Sequence, residues 1–302
     1  MIVNLCRQLL RRARYSQPLN AIATQGVRSA CAALGVRSEW AIRHLHHVGR
    51  VRSRLPNGRD LVLWSLADDW VSNQVFWLGW EGYEPETAPV FFRLASQARV
   101  TVDVGAYVGF YSLLAAHANP AGRVFAFEPL PANFQRLRIN VARNRLPNVE
   151  CMGAAVGDRE GAQEFFHSPS GLPCSSSLSK EFMASLPDLT STNVPVTTID
   201  ALCAEKTLTV DLLKIDTETT EPTVLRGAAQ TLARDRPAIV CEVLAGHDTG
   251  PALETLLRPL GYGYFLLTPE GPRPMDHIQG HPEWLNYLFT ARAIGGFGQP
   301  PS

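Results

Sequence analysis

The chain has 302 residues, 45% hydrophobic composition and a formal net charge of zero, enough apolar mass for one large α/β domain with an appendage. A neutral balance excludes a surface built wholly for nucleic acid, and no run reaches the length of about 18 apolar residues that a membrane span needs. The six cysteines, at 6, 31, 151, 174, 203 and 241, form no CxxC pair, which suits reduced thiols better than a disulfide or zinc framework. With no apolar signal region after the first arginines, a soluble cytoplasmic protein is expected.

Charge is distributed unevenly. The first 50 residues hold eight arginines and one acid, Glu39, for a net +7. Met1 to Arg14 and Ala21 to Gly35 carry apolar residues loosely at helical spacing, so residues 1–50 read as a basic helical extension. It is either a cap on the main domain or an amphipathic face for a membrane surface or partner, with an Arg-rich transit peptide also open. His44, His46 and His47 lack partnering Cys or Asp at ligand spacing, and read as a solvated turn and not a metal site. Residues 51–97 form a lead-in: Val51 to Leu55, the turn Pro56-Asn57-Gly58 and Asp60 to Ser65 predict a hairpin. A helix is expected from Thr87 to Ala95, with Pro85 near its start.

The domain proper is expected over residues 98–302, and Thr101 to Glu128 organises it. A buried strand ends in Asp103, turns through Gly105 and Gly109 into a helix over Phe110 to Ala118, and returns as a strand ending in Glu128. An acid at a strand tip about 25 residues after the first is where a carboxylate accepts from a ribose diol. A dinucleotide fold wants GxGxxG, with a glycine where the pyrophosphate approaches, and Tyr107 fills that place here. A ligand with a ribose but no phosphate fits better, and S-adenosylmethionine is the common one. A nicotinamide-dependent enzyme is correspondingly disfavoured.

Downstream, Pro131 to Asn144 predicts a helix and Asn148 to Val156 a third strand, with Asp158 beyond it placed to accept from an adenine amino group or to serve as an ordinary turn residue. Gln163 to His167 and Val194 to Ile199 read as strands joined by the Ser-, Pro- and Gly-rich connector Ser168 to Asn193, a lid or binding loop. Thr209 to Asp216 is a buried strand, Glu221 to about Arg234 a helix, and Ala238 to Val243 a strand carrying Glu242. A helix over Ala252 to Leu260 and strands over Tyr262 to Leu267 and Asn286 to Ala293 close the chain. The order predicts a doubly wound, Rossmann-like, mostly parallel seven-stranded sheet with an antiparallel edge strand.

From about Gly82 to Val243 the chain resembles the FkbM-type family of S-adenosylmethionine-dependent methyltransferases. The residues that carry the likeness are Gly82-Tyr83-Glu84-Pro85, Asp103-Val104-Gly105-Ala106, Phe127-Glu128-Pro129, Asn133, Ala154 to Gly161, Ser175 to Leu178, Val196 to Asp200, Leu213 to Glu218 and Val224 to Ala228. Asn286-Tyr287-Leu288-Phe289 is similar too. The resemblance implies a class I methyltransferase fold and methyl transfer to a hydroxyl of a sugar or other natural product. It also implies cofactor contacts from Tyr83, Glu84, Asp103, Gly105, Tyr107, Gly109, Glu128, Asp158 and Asp216. Two positions depart from the family pattern: Tyr107, where Asn is usual, and Thr219, where Gly is usual.

A hydroxyl nucleophile needs a proton acceptor. Asp216 or Glu218, at the strand tip nearest the expected methyl, is the first choice and His247 the competitor. Lys214 pairing with an acid, or Glu218 capping the next helix, is the structural alternative. No ligand set compels a metal. A non-catalytic relative that binds a partner stays open because of Tyr107 and Thr219.

Overall fold

The computed structural model describes residues 17–168, 172, 176–184, 189–247 and 249–292. The Arg-rich stretch Met1 to Arg14 and parts of the connector after Ser168, Ser175 included, lie outside them. The chain forms two compact units, Met1–Tyr83 and Glu84–Ser302.

The first unit contains helices α1 (Gln17–Ala33) and α2 (Glu39–His44), strands β1 (Val48–Arg54) and β2 (Asp60–Leu66), and helix α3 (Trp70–Leu78). Helix α1 turns Asn20 and Thr24, one helical turn apart, toward β1. Asn20 accepts from the Val48 amide at 2.7 Å, and Thr24 Oγ1 lies 2.8 Å from His47 Nδ1. His47 is therefore buried, with its ring stacked at 4.1 Å on Phe76, and does not sit in a solvated turn. The expected hairpin forms from Val48↔Leu66 to Arg54↔Asp60. Helix α3, capped by Asp69 accepting from the Ser72 amide at 2.6 Å, was not legible as a helix because its mixed aromatic sequence lacks a clear stripe. The boundary expected after residue 50 falls inside β1.

The second unit begins with α4 (Ala88–Ala95), β3 (Val100–Val104), α5 (Phe110–Ala118), β4 (Arg123–Phe127), α6 (Pro131–Asn144), β5 (Val149–Met152) and β6 (Ala155–Val156). It continues through β7 (Gly161–His167), β8 (Ser176–Ser177), α7 (Lys180–Met183), β9 (Thr190–Thr197), α8 (Ile199–Lys206), β10 (Leu212–Ile215), α9 (Glu221–Arg226) and α10 (Ala229–Asp235). It closes with β11 (Ala238–Glu242), α11 (Gly250–Leu257), β12 (Gly263–Thr268), β13 (Gly271–Met275) and β14 (Asn286–Thr290). The boundary expected after residue 97 falls between α4 and β3. Among the described residues no helix is long and apolar enough to cross a membrane.

The main sheet runs β13-β12-β14-β11-β10-β3-β4-β5, with β5, β4, β3, β10 and β11 parallel. The doubly wound α/β arrangement is as expected; the details differ. There are eight strands, not seven, because β13 adds a hairpin to β12. The antiparallel strand β14 lies inside the sheet, between β11 and β12, as well as an antiparallel strand lying at the edge. A second sheet, β6-β9-β7-β8, takes strands with one covered face, as the buried Val194 and Val196 on either side of the exposed Pro195 show on β9. The expected strand Val194 to Ile199 stops at Thr197, since Thr198 caps α8 by accepting from the Ala201 amide at 3.0 Å.

The helix expected from Glu221 to Arg234 is broken at Gly227-Ala228. Asp200 causes the break: its amide donates to the Gly227 carbonyl at 3.0 Å, and its carboxylate accepts from the amides of Gln230 and Thr231 at 3.0 and 2.8 Å, capping α10. A Cβ on Gly227 would stand 1.9 Å from the Gly157 carbonyl oxygen, a backbone neighbour that cannot turn aside. Replacing Gly227 with Ala should therefore destabilise the fold by about 1–3 kcal/mol, the usual range for overpacking. Urea unfolding should show the lower midpoint with an unchanged slope.

Candidate active site

The site is built at the C-terminal tips of the parallel strands, where an open α/β sheet holds its ligands. Beyond β3 the chain turns at Gly105, whose φ is +81° and whose Cβ, if present, would lie 1.8 Å from the Asp216 carbonyl oxygen. Only glycine permits both the left-handed backbone and that approach. The amides of Gly105 and Ala106 donate to the Phe127 carbonyl at 3.1 and 2.8 Å, which ties the turn to the tip of β4.

Glu128 follows directly. Its Oε2 accepts from the Tyr107 amide and its Oε1 from the Leu130 amide, both at 2.9 Å. The carboxyl is held by the main chain on two sides while keeping lone pairs for a further donor. Burial pushes its pKa up to about 8 against the pull of those amide bonds. Tyr107 has a φ of +51°, and its phenol donates to the Leu172 carbonyl at 3.2 Å.

A second group centres on Lys214, which is fully buried. Its ammonium donates to Asp216 Oδ2 at 3.0 Å and to Asn286 Oδ1 at 3.3 Å, and lies 4.9 Å from the centre of the Tyr111 ring. The Tyr111 hydroxyl donates to the Glu84 carboxylate, which also accepts from Asn286 Nδ2 at 3.0 Å. Asp103 is the register partner of Lys214, is buried, and accepts from the Ser112 hydroxyl. Burial opposes the charge on Lys214, but Asp216, Glu84 and Glu242 outweigh it and hold the lysine protonated. Burial raises the acids in turn: Asp103 to about 6, Glu84 above the usual range, and Glu242 well above it.

The loop after β10 is strained. Glu218 and Thr219 both have positive φ, +54° and +77°, and a β-branched residue there is an outlier. Glu221 holds the loop: its Oε1 accepts from the Thr217 amide, the Thr217 hydroxyl and the Thr219 amide, each at 3.1 Å. Burial pushes the Glu221 pKa up to about 7. Ser177 adds a bond from its hydroxyl to the Glu218 carbonyl at 2.7 Å.

Of the residues singled out from sequence, Glu84, Asp103, Gly105, Tyr107, Gly109, Glu128, Asp216 and Glu218 gather at these tips. Tyr83 is the last residue of the other unit. Asp158 follows β6 and faces Arg226 at 3.5 Å. His247 is exposed beyond β11; its ring meets the Phe182 ring edge-on at 5.1 Å. It lines a cleft of about 620 Å³ with Glu254 and His277. Tyr111, Asn286 and the loop-holding role of Glu221 were not found from sequence. Their contacts join segments distant in sequence, Asn286 with Lys214 and Glu84 above all, and no local pattern signals them.

Two outcomes follow from this geometry. For an acid whose pKa is raised on folding, the stability difference is fully present below the unfolded pKa and is lost as pH rises through the folded value. Ligand-free protein should therefore lose stability from about pH 4.5, the ordinary carboxyl value, up to about pH 7 for Glu221 and about pH 8 for Glu128, by up to about 1.4 kcal/mol per pH unit for each group, and level off above. Denaturant titrations across that range should show the loss, with its upper part flattened in Glu128→Gln. Replacing Thr219 with Gly should stabilise the fold by about 1–3 kcal/mol by relieving the positive φ, read as a raised urea midpoint.

Residues 103–266 match the model of the FkbM methyltransferase domain. The chain is 29% identical over 202 residues to the 31-O-demethyl-FK506 methyltransferase FkbM of Streptomyces tacrolimicus, covering 57% of this chain and 75% of that one. It is 41% identical over 70 residues to the AMB antimetabolite synthetase AmbE of Pseudomonas aeruginosa, covering 23% of this chain and 3% of that much longer one. Among solved structures it is similar to the FkbM methyltransferase of Methylobacillus flagellatus, at 18% identity and a TM-score of 0.43, covering 73% of this chain and 54% of that one. Since the matched domain spans more than half of its length, the chain belongs to the FkbM family of S-adenosylmethionine-dependent methyltransferases.

Proposed function

We propose that this protein transfers a methyl group from S-adenosylmethionine to a hydroxyl oxygen of a sugar or other natural-product small molecule. The observation that carries the reading is Glu128, a buried carboxyl fixed by two backbone amides at a strand tip beside the Gly105 turn. The donor set suits the cofactor at two places. Glu128 offers acceptor lone pairs to a ribose diol, and the carboxylates around Lys214 outnumber it, giving the neighbouring tips a negative field that favours a cation.

When bound, the cofactor supplies an electrophilic methyl group on a positively charged sulfur. The chain's part is to align and to exclude water. The Gly105 turn and Glu128 orient the ribose end. Glu84, Asn286, Lys214 and Asp216 hold one another in a fixed order, so the charges that face the reacting centre need little rearrangement. The Glu221 clamp keeps the loop carrying Glu218 and Thr219 in one shape, which supports a narrowed acceptor range. The relative from S. tacrolimicus is named for methylation of 31-O-demethyl-FK506, and that name supports transfer to oxygen. The connector after Ser168, with Ser177 bonded to the Glu218 carbonyl, is the proposed cover over the acceptor.

Calorimetry with S-adenosylhomocysteine at pH 9, above the value of about 8 for Glu128, should show binding weakened by about 1.5–3 kcal/mol in Glu128→Ala, the range for bonds to a charged group; an unchanged affinity would remove Glu128 from the site. A screen of methyl-labelled cofactor against sugars and hydroxylated natural products should return an O-methylated product from the wild type, with acceptor preference altered in Thr219→Gly. Cofactor binding without turnover in the wild type, but with turnover in Thr219→Gly, would instead favour a partner-binding role.

A further inference from the structure

The carboxyl groups at the strand tips differ in how their oxygens are used. Glu84 accepts from Tyr111 and Asn286, Asp103 from Ser112, Glu128 from two amides, Asp216 from Lys214, and Glu221 from Thr217 and Thr219. Glu242 stands apart. It is 8% exposed, and its Oε2 is a buried oxygen with no hydrogen-bond partner among the described residues. A buried polar atom left unsatisfied is expensive and needs a reason; a bound molecule with an O–H to donate supplies one.

Strand pairing fixes where this oxygen sits. Glu242 ends β11 and is the register partner of Asn286 on β14, which itself bonds Lys214 and Glu84. Val240, two residues back and so on the same face, is the register partner of Lys214. The charged groups facing Glu242 are Lys214 of β10, Asp216 and Glu218 of the segment that follows it, and Glu221 of α9. Asn286 is neutral, and Cys241 on its own strand is a buried thiol held well up and uncharged.

We infer that Glu242 is the proton acceptor for the hydroxyl that is methylated, an inference that rests on the O-methyl transfer proposed above. In that step the O–H bond breaks and its proton passes to the Glu242 carboxylate. The oxygen's electron pair forms the new C–O bond, and the C–S bond of the methyl donor breaks with its pair kept on sulfur. A sulfonium and a carboxylate become a neutral thioether and a carboxylic acid, so charge balances. Asp216 and Glu221 are worse placed for this role, because Lys214 and the loop amides already engage them.

A base must be ionised when its substrate arrives. In the ligand-free site, burial and the carboxylates of Asp216, Glu218 and Glu221 favour the acid form of Glu242. A sulfonium bound nearby reverses that preference, since an opposite charge favours the ionised form. Glu242 is thus a base only in the site loaded with the cationic donor, and stays an acid beside the neutral product.

Calorimetry of cofactor binding to the full chain at pH 7, repeated in buffers of different ionisation enthalpy, reads the protons exchanged. Binding of S-adenosylmethionine should release roughly one proton, and binding of S-adenosylhomocysteine much less. In Glu242→Gln the release should be lost while S-adenosylmethionine still binds, and Glu242→Asp should restore it. An unchanged release in Glu242→Gln, an equal release with the two cofactors, or none in the wild type would overturn the assignment while leaving the methyltransferase reading intact. Failure of the wild type to bind either compound would overturn both.

Discussion

A single buried ammonium, that of Lys214, is the constraint on which the site depends. Taking a lysine wholly out of water costs several kcal/mol unless carboxylates surround it, and here Asp216 and Asn286 bond it directly while Glu84 and Glu242 add their charge. Each partner comes from a different element: Asp216 from the end of β10, Asn286 from β14, Glu84 from the start of the unit, and Glu242 from β11. The lysine thus joins the first residue of the second unit to its last strand. Those acids would repel one another without it.

The same arrangement explains how a site can hold so many carboxyl groups in little water. Burial raises the pKa of Asp103, Glu128, Glu221 and Glu242, so several are acids or near their midpoint at neutral pH, and the effective charge is smaller than the count of acids suggests. A cation entering such a place meets groups that can give up protons to accommodate it. A neutral ligand does not draw that response.

Three of the described non-glycine residues with positive φ stand at the rims of this cluster. Tyr107, Glu218 and Thr219 all have positive φ, and each is fixed by a bond that only a folded neighbour supplies: Glu128 for the Tyr107 amide, Glu221 for the Thr219 amide, Ser177 for the Glu218 carbonyl. Such positions persist where surrounding structure over-determines them.

Much was determined by the sequence alone. Local signals have local causes, so the turn of Gly105, the helices over Phe110–Ala118 and Pro131–Asn144, the hairpin around Asn57-Gly58 and the acid at the tip of β4 were all readable from spacing and propensity. Tertiary structure decided what depends on which strands become neighbours. That Glu242 shares a face with Lys214 came from the pairing of Lys214 with Val240. That β14 enters between β11 and β12, that the strands around Phe165 and Val194 leave for a second sheet, and that Asp200 breaks one long helix into two are results of pairing between distant segments. Asn286 meets Lys214 across 72 residues and Glu84 across 202, contacts that no local pattern encodes. The isolation of the Glu242 oxygen belongs to the same class, because an unpaired atom is defined by everything packed around it.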